Sequence, residues 1–326
     1  MHYDVFNGDA DGIIALLQLR LEYPCDSLYR TGVKRDIQLL EGLSVAEGDT
    51  VTVLDISMDK NHQPLQALLA QGASIFYADH HLPGTIPQHP RLISHIHTEA
   101  TMCTALIIDH LLEHRYHQWA IAAAYGDNLS QVATEKAKRA HLTESTRSQL
   151  EQLGTLINYN SYGRSVADLH YSPAELFEQL LAYRTPDAVI SDRSSPFHHL
   201  QQHYANDMAF ALEQTRENHP ALQVIQLPNQ AVSFRISGAL GNYLANQAPT
   251  KATLILTPLE DAEQNFIVSL RAPLENRQGA GQLCSQFDTG GGREGAGGVN
   301  RLAKDQVNAL IRTVSDFYRS DTVYRG

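Results

Sequence analysis

Ser74-Ile75-Phe76-Tyr77-Ala78-Asp79-His80-His81 begins as an apolar, aromatic and β-branched run and ends in three polar side chains able to bind metal. The run predicts a buried strand, and three such residues directly after a strand have little structural use. Working outward, Val51-Thr52-Val53-Leu54 is a second strand candidate, closed by Asp55. Between the two strands, a helix is expected from about Lys60 to Gln71, with Gly72 able to end it. Further upstream, Tyr3 to Asn7 reads as a strand. The helix-forming run Gly12 to Leu21 follows and is stopped by Pro24, and Leu28 to Thr31 is a weaker strand candidate. This alternation predicts an α/β fold with a mostly parallel open sheet and helices on both faces. In such sheets ligands bind where the loops leave the carboxyl ends of the strands. That edge would gather Asp9, Asp11, Asp55, His80 and His81. Asp127 follows the helical stretch Trp119 to Tyr125, so only tertiary packing can bring it there.

Residues 130–185 read as helical and surface-rich, with 134–139 a solvated charged face. Pro186 and the 191–196 stretch suggest a linker, followed by a long polar helix over roughly 199–218. Strands are expected at 222–227, 232–236, 253–257 and 266–271, which restarts the alternation as a smaller C-terminal α/β domain. The expected organisation is a first domain over 1–185, a helical linker over 186–221 and a second domain over 222–326, with the active-site cleft between the domains.

The 326 residues, 43% of them hydrophobic, are enough for two cores. A formal charge of -11 argues against an extended duplex-binding surface, which needs clustered Lys and Arg. Cys25, Cys103 and Cys284 are widely spaced and odd in number, so neither a disulfide framework nor a zinc-thiolate cage is expected. The start of the chain lacks a basic region followed by an apolar stretch, and no run is long enough to span a bilayer. A cytoplasmic location without membrane attachment follows as an expectation.

Taken alone, Asp9 and Asp11 read as turn and N-cap residues for the next helix, Asp55 as a cap, the histidines as loop residues and Asp127-Asn128 as a helix-ending turn. Their joint occurrence favours a site. Asp-x-Asp after a strand aims two carboxylates into one small volume, which is costly without cations. Gly8 and Gly12 are expected to give the turn its conformational freedom. The oxygen-rich set with an imidazole suits manganese better than zinc. Two ions about 3.5–4 Å apart are the arrangement used for in-line displacement at phosphate, so phosphoester hydrolysis is the expected reaction.

In order and type these motifs resemble those of the DHH phosphoesterase superfamily, across nearly the whole chain. Asp9-Ala10-Asp11-Gly12 looks like the first motif, Asp55 the second, Asp79-His80-His81 the third and Asp127 the fourth. Ala100-Thr101 resembles the usual head of the following helix. Val268 to Arg271 followed by the glycine-rich 290–298 stretch resembles the strand and glycine-rich loop of the DHH-associated substrate-binding domain. The resemblance implies that Asp9 and Asp55 hold one divalent ion, and that Asp11, Asp55, His80 and Asp127 hold a second. It further implies that His81 touches the substrate phosphate while Asp79 orients its neighbours. Arg271, Gly291, Gly292 and Arg293 would grip the substrate's anionic end. The chain departs from the pattern at Val5, where many members carry a histidine, at Asn7, which is Asp in RecJ-type exonucleases, and at Arg293, where nanoRNase-like members carry histidine.

The expected activity is a manganese-dependent phosphodiesterase or exonuclease. It would convert short oligonucleotides to nucleoside monophosphates through water activated on the metal. The alternatives are a nucleotide bisphosphate phosphatase, a cyclic dinucleotide phosphodiesterase, a polyphosphatase and, from another class, a non-catalytic nucleotide sensor. A homodimer is compatible with this reading. Arg30, Lys34 and Arg35, near strand ends, read as solvated surface.

Overall fold

The structure is a computed structural model that describes residues 1–259 and 264–323. In chain order the first half runs β1 (His2–Asn7), α1 (Ala10–Glu22), β2 (Leu28–Gly32), β3 (Thr50–Leu54), α2 (His62–Ala70), β4 (Ser74–Asp79) and β5 (Leu92–Ile96). Helices follow as α3 (Thr104–Leu111), α4 (His117–Gly126), α5 (Ser130–Arg139), α6 (Glu144–Tyr159), α7 (Pro173–Leu181), α8 (Pro186–Ser191) and α9 (Pro196–Leu212). The remainder is β6 (Arg216–Asn218), β7 (Leu222–Gln226), α10 (Ala231–Gln247), β8 (Ala252–Pro258), β9 (Asn265–Arg271), α11 (Ala280–Cys284), β10 (Gly290–Arg293), β11 (Ala296–Ala303) and α12 (Lys304–Val323). The chain divides into compact units at Met1–His203 and Tyr204–Gly326, and α9 runs across that division.

The first unit holds a five-stranded sheet of order β2-β1-β3-β4-β5, in which every pairing is parallel. All five carboxyl ends therefore lie on one edge. Val5, Val51, Val53, Ile75 and Tyr77 on one face pack with Leu65, Leu68 and Leu69 of α2 into a closed apolar cluster. On the opposite face, Phe6 meets Phe177 of α7 with ring centroids 5.8 Å apart, and α1 and α3 cover the remainder. Helices on both faces match the expectation from the alternation.

Asp4 and Arg20 are buried polar residues in this unit. Arg20 Nε donates to Asp4 Oδ2 at 2.9 Å and Nη2 donates to Oδ1, while Ser27 Oγ donates to Oδ2 at 2.6 Å. Burial alone would raise the Asp4 carboxyl, but these donors and His2 outweigh it and hold the group at about 2. A carboxylate held below its unfolded value of 3.8 stabilises the fold above that pH, and this contribution disappears as pH falls through about 2. Arg20→Met is expected to strand the buried carboxylate and cost about 3–5 kcal/mol. Chemical denaturation at pH 7 reads the loss, and an unchanged midpoint would refute the pairing.

The second unit is a six-stranded mixed sheet of order β10-β11-β9-β8-β7-β6. Phe266, Val268 and Leu270 turn to a core shared with α11 and α12. Three sequence readings change here. Residues 232–236 lie inside α10, whose buried positions 233/234, 240/241 and 244/245 recur with a helical period that a five-residue window does not reveal. The polar helix stops at Leu212, and Arg216–Asn218 pairs with β7 as an edge strand instead of continuing it. The glycine-rich 290–298 stretch is mainly two antiparallel strands and their tight connection, not a loop. Pro186, expected in a linker, is the first residue of α8, where a proline without N–H is tolerated.

Candidate active site

Four of the five sheet strands, β1 to β4, deliver polar residues to the same edge. After β1 the backbone turns sharply, and a Cβ at Gly12 would lie 2.3 Å from the Asn7 carbonyl oxygen, while one at Gly8 would lie 2.0 Å from that of Gly32. Neither glycine has a positive φ, so close backbone approach, and not left-handed freedom, makes glycine necessary at both. Asp9 is the N-cap of α1: its Oδ1 accepts the N–H groups of Asp11 at 3.0 Å and Gly12 at 3.1 Å. Asp11, two residues on, accepts from the start of α3, with Thr104 N–H and Ala105 N–H each at 2.7 Å. Helix α3 starts at Thr104, so Ala100-Thr101 precede it instead of heading it.

Asp55 follows β3 with φ of 57°, a left-handed backbone that Asp tolerates better than most residues. Its Oδ1 accepts Thr104 Oγ1 at 3.3 Å. Asp127 is the C-cap of α4 and reaches the same edge through helix packing.

His80 is the centre of the arrangement. Its Nδ1 lies 3.1 Å from the Met102 carbonyl oxygen. A carbonyl can only accept, so Nδ1 carries the proton and Nε2 presents a lone pair. That Nε2 faces Asp55 Oδ1 at 3.4 Å, Asp11 Oδ2 at 3.8 Å and Asp127 Oδ2 at 4.0 Å. Asp127 Oδ2 is buried and accepts no hydrogen bond among the described residues. Asp11, His80 and Asp127 form one group with ligand atoms within 4.8 Å of one another, and Asp55, His80 and His81 form another. A buried oxygen without a donor, three carboxylates around one imidazole lone pair and a pinned tautomer fit a divalent cation.

The electrostatics point the same way. Burial, together with the charges of Asp9, Asp11, Asp79 and Asp127, pushes the Asp55 carboxyl well above its ordinary range. Burial raises Asp127 as well, although Lys34 opposes it. Without a cation, this cage holds carboxylates that resist ionising together.

His81 Nδ1 donates to Asp79 Oδ1 at 2.7 Å, and its ring stays partly open to solvent. Burial would lower the imidazole, but the bond to Asp79 outweighs it and raises the group.

Lys34, read from sequence as solvated surface, is placed differently. It follows the end of β2, and its Nζ donates to Asp9 Oδ2, donates to Asn158 Oδ1 at 3.2 Å and lies 3.8 Å from Asp127 Oδ1. The carboxyl-end rule that selects Asp9 and Asp55 applies equally to a residue just beyond β2, and that signal is present in the sequence.

In the second unit, Arg271, Ala296 and Arg293 share one register row across β9, β11 and β10, with Ala296 between the two arginines. Directly opposed residues point to one face. In the next row on that face Ser269, Gly298 and Gly291 are partners. Arg271 Nε donates to Asn242 Oδ1 at 2.8 Å and Nη1 to Ser269 Oγ at 3.1 Å, which fixes the guanidinium, while Arg293 is exposed. A Cβ at Gly291 would meet nothing within 4 Å. Among the described residues no helix is long and apolar enough to cross a membrane.

No protein-family model matches this chain, and no curated protein matches it. Solved structures do. A pGpG-specific phosphodiesterase, PggH, from Vibrio cholerae superposes with a TM-score of 0.56 at 16% identity, covering 98% of this chain and 100% of its own. An exonuclease RecJ bound to manganese gives 0.56 at 16% identity over 98% of this chain and 90% of that one. RecJ from Thermus thermophilus, in complex with Mn2+, gives 0.62 at 15% identity, with 98% of this chain matching 52% of that one. The chain has the fold of these phosphodiesterase and RecJ exonuclease structures.

Proposed function

We propose that this chain is a DHH-type phosphoric ester hydrolase, a metal-dependent phosphodiesterase that cuts short oligonucleotides to nucleoside monophosphates. The observation that carries this reading is the His80 lone pair facing Asp11, Asp55 and Asp127 at the carboxyl edge of a parallel sheet. Those four residues would hold a divalent ion, with manganese preferred. When bound, the ion would acidify a water molecule and polarise the phosphoryl oxygen. The fold shared with manganese-bound RecJ and with a pGpG-specific phosphodiesterase supports both the chemistry and a short substrate.

The protein's own groups do the remaining work. The Met102 carbonyl fixes the His80 tautomer, and the Thr104 and Ala105 N–H groups hold Asp11 in place. Asp79 accepts the Nδ1 proton of His81 and favours the imidazolium form, in which Nε2 also carries a proton that it would donate to a phosphoryl oxygen as negative charge develops there. In the second unit, Arg271, Arg293 and the Gly291-Gly298 shelf would take the anionic end of the substrate.

A panel of dinucleotides, longer oligonucleotides, cyclic dinucleotides, bisphosphorylated nucleotide and polyphosphate, incubated with manganese and read by mass spectrometry, tests the assignment. Mononucleotides from the short linear substrates are the expected product. Orthophosphate alone, or binding without turnover, would refute the reading.

Gly291→Val checks the shelf separately. The new side chain has room, so stability should change by no more than about 0.5 kcal/mol. The KM should rise with little change in kcat, because the residue lies outside the metal cage. Unchanged KM for every accepted substrate would remove the shelf from the account.

A further inference from the structure

The ammonium of Lys34 is bonded to Asp9, one of the two carboxylates to which the family resemblance assigns a first metal ion. In that pattern Asp9, Asp55 and an imidazole four residues before Asp9 share this ion. Here the imidazole position is Val5, fully buried in an apolar cluster with Val51, Val53 and Tyr77. Asp9 Oδ1 accepts two backbone N–H groups as the cap of α1, and its Oδ2 accepts from the Lys34 ammonium, whose positive charge opposes a second cation at that oxygen. The residues present do not fit a first ion.

They do fit a resident cation. Lys34 is held at both its backbone and its head: its N–H donates to Ser161 O at 3.0 Å, its carbonyl accepts Asn7 Nδ2 at 3.2 Å, and Nζ reaches Asn158 as well as Asp9. Asp127 divides its two oxygens, Oδ1 lying 3.8 Å from Lys34 and Oδ2 facing His80 at 4.0 Å. The fixed charge and the metal cage are thus adjacent and share one carboxylate.

We propose that Lys34 replaces the first ion, so that the enzyme works with a single divalent metal, held by Asp11, Asp55, His80 and Asp127, beside a permanent ammonium. This rests on the metal-dependent hydrolase reading above. Asn7 belongs to the same device, because its side chain holds the Lys34 carbonyl. An aspartate at that position would be unable to donate to it. One ammonium carries half the charge of a divalent ion and cannot acidify water, so its part is confined to neutralising Asp9 and attracting a phosphate oxygen.

The test is manganese stoichiometry, read without substrate. The full chain, stripped by chelator and dialysed against Mn(II), should retain one ion, and its electron paramagnetic resonance spectrum should show isolated Mn(II) with no exchange-coupled pair. Lys34→Ala frees Asp9 and should admit a second, weaker ion with a coupled-pair signal. Lys34→Gln, which keeps a hydrogen-bond donor without the charge, serves if the alanine variant does not fold. Two ions in the wild-type protein would overturn this proposal and leave the hydrolase reading standing. So would a single ion in a folded Lys34 variant, since the place would then be closed by something else. Failure of the wild-type chain to bind any manganese would remove the hydrolase reading and this proposal together.

Discussion

Asp55→Asn is expected to eliminate manganese-dependent turnover while making the metal-free protein more stable. The loss should go well beyond the roughly 10–100-fold that removing an outer partner of a metal typically costs, since Asp55 faces the His80 lone pair directly. The gain comes from the same carboxylate, which is buried among Asp9, Asp11, Asp79 and Asp127 and resists ionisation. An amide of the same shape removes that repulsion. Asparagine is the right replacement because φ at this position is 57°, where Asn is tolerated and Ala would add about 1–2 kcal/mol of backbone strain. Thermal unfolding in chelator, paired with manganese binding and turnover, checks both halves. Full activity in the variant would end the assignment of Asp55 as a ligand, and a lower melting temperature would contradict the account of its electrostatics.

His81→Ala is expected to lower kcat by roughly 10²–10³-fold, the usual cost of losing one donor aimed at developing charge. Manganese content should stay near that of the parent, because the cage around His80 is complete without it. Asp79→Asn should fall in the same direction, since a neutral amide no longer stabilises the imidazolium form that donation from Nε2 requires. Loss of the bound ion in His81→Ala would show that His81 is a ligand, consistent with its presence in a group with Asp55 and His80, and would reverse its role.

The parallel sheet is legible in the sequence because its strands are short apolar runs ending in residues that serve no packing purpose. Asp55 and His80 can be placed by the same logic, since the strand-end rule concerns backbone direction and needs no side-chain coordinates. Asp127 cannot be placed that way: it ends a helix, and only the packing of α4 against α1 and α6 brings it to the edge. Lys34 is misread because charge and hydrophilicity argue for solvent; its place just beyond β2 marks it for the same edge, but no local pattern records that Asp9 and Asn158 bind its ammonium. In the second unit, residues 232–236 have strand composition, yet the helical repeat around them spans 17 residues and decides the matter. The glycines at 290–298 suggest a loop by composition, but Gly290 to Gly292 lie in the edge strand β10, and Gly297 in the interior strand β11 sits where a Cβ would come 2.5 Å from the Ala280 carbonyl oxygen.

The site's polar side chains are fastened by the protein itself. Asp9 caps α1, Asp11 is tied to the first turn of α3, His80 hangs from a carbonyl and His81 from Asp79. An incoming ion therefore meets a receptacle whose ordering cost was met when the chain folded. The expected result is that folding does not depend on metallation, in contrast to small zinc domains that collapse only around their metal. The practical consequence concerns handling: the protein can be stripped, stored and reloaded with different divalent ions, and differences in rate among them would report the ion's own chemistry and not a rearranged cage.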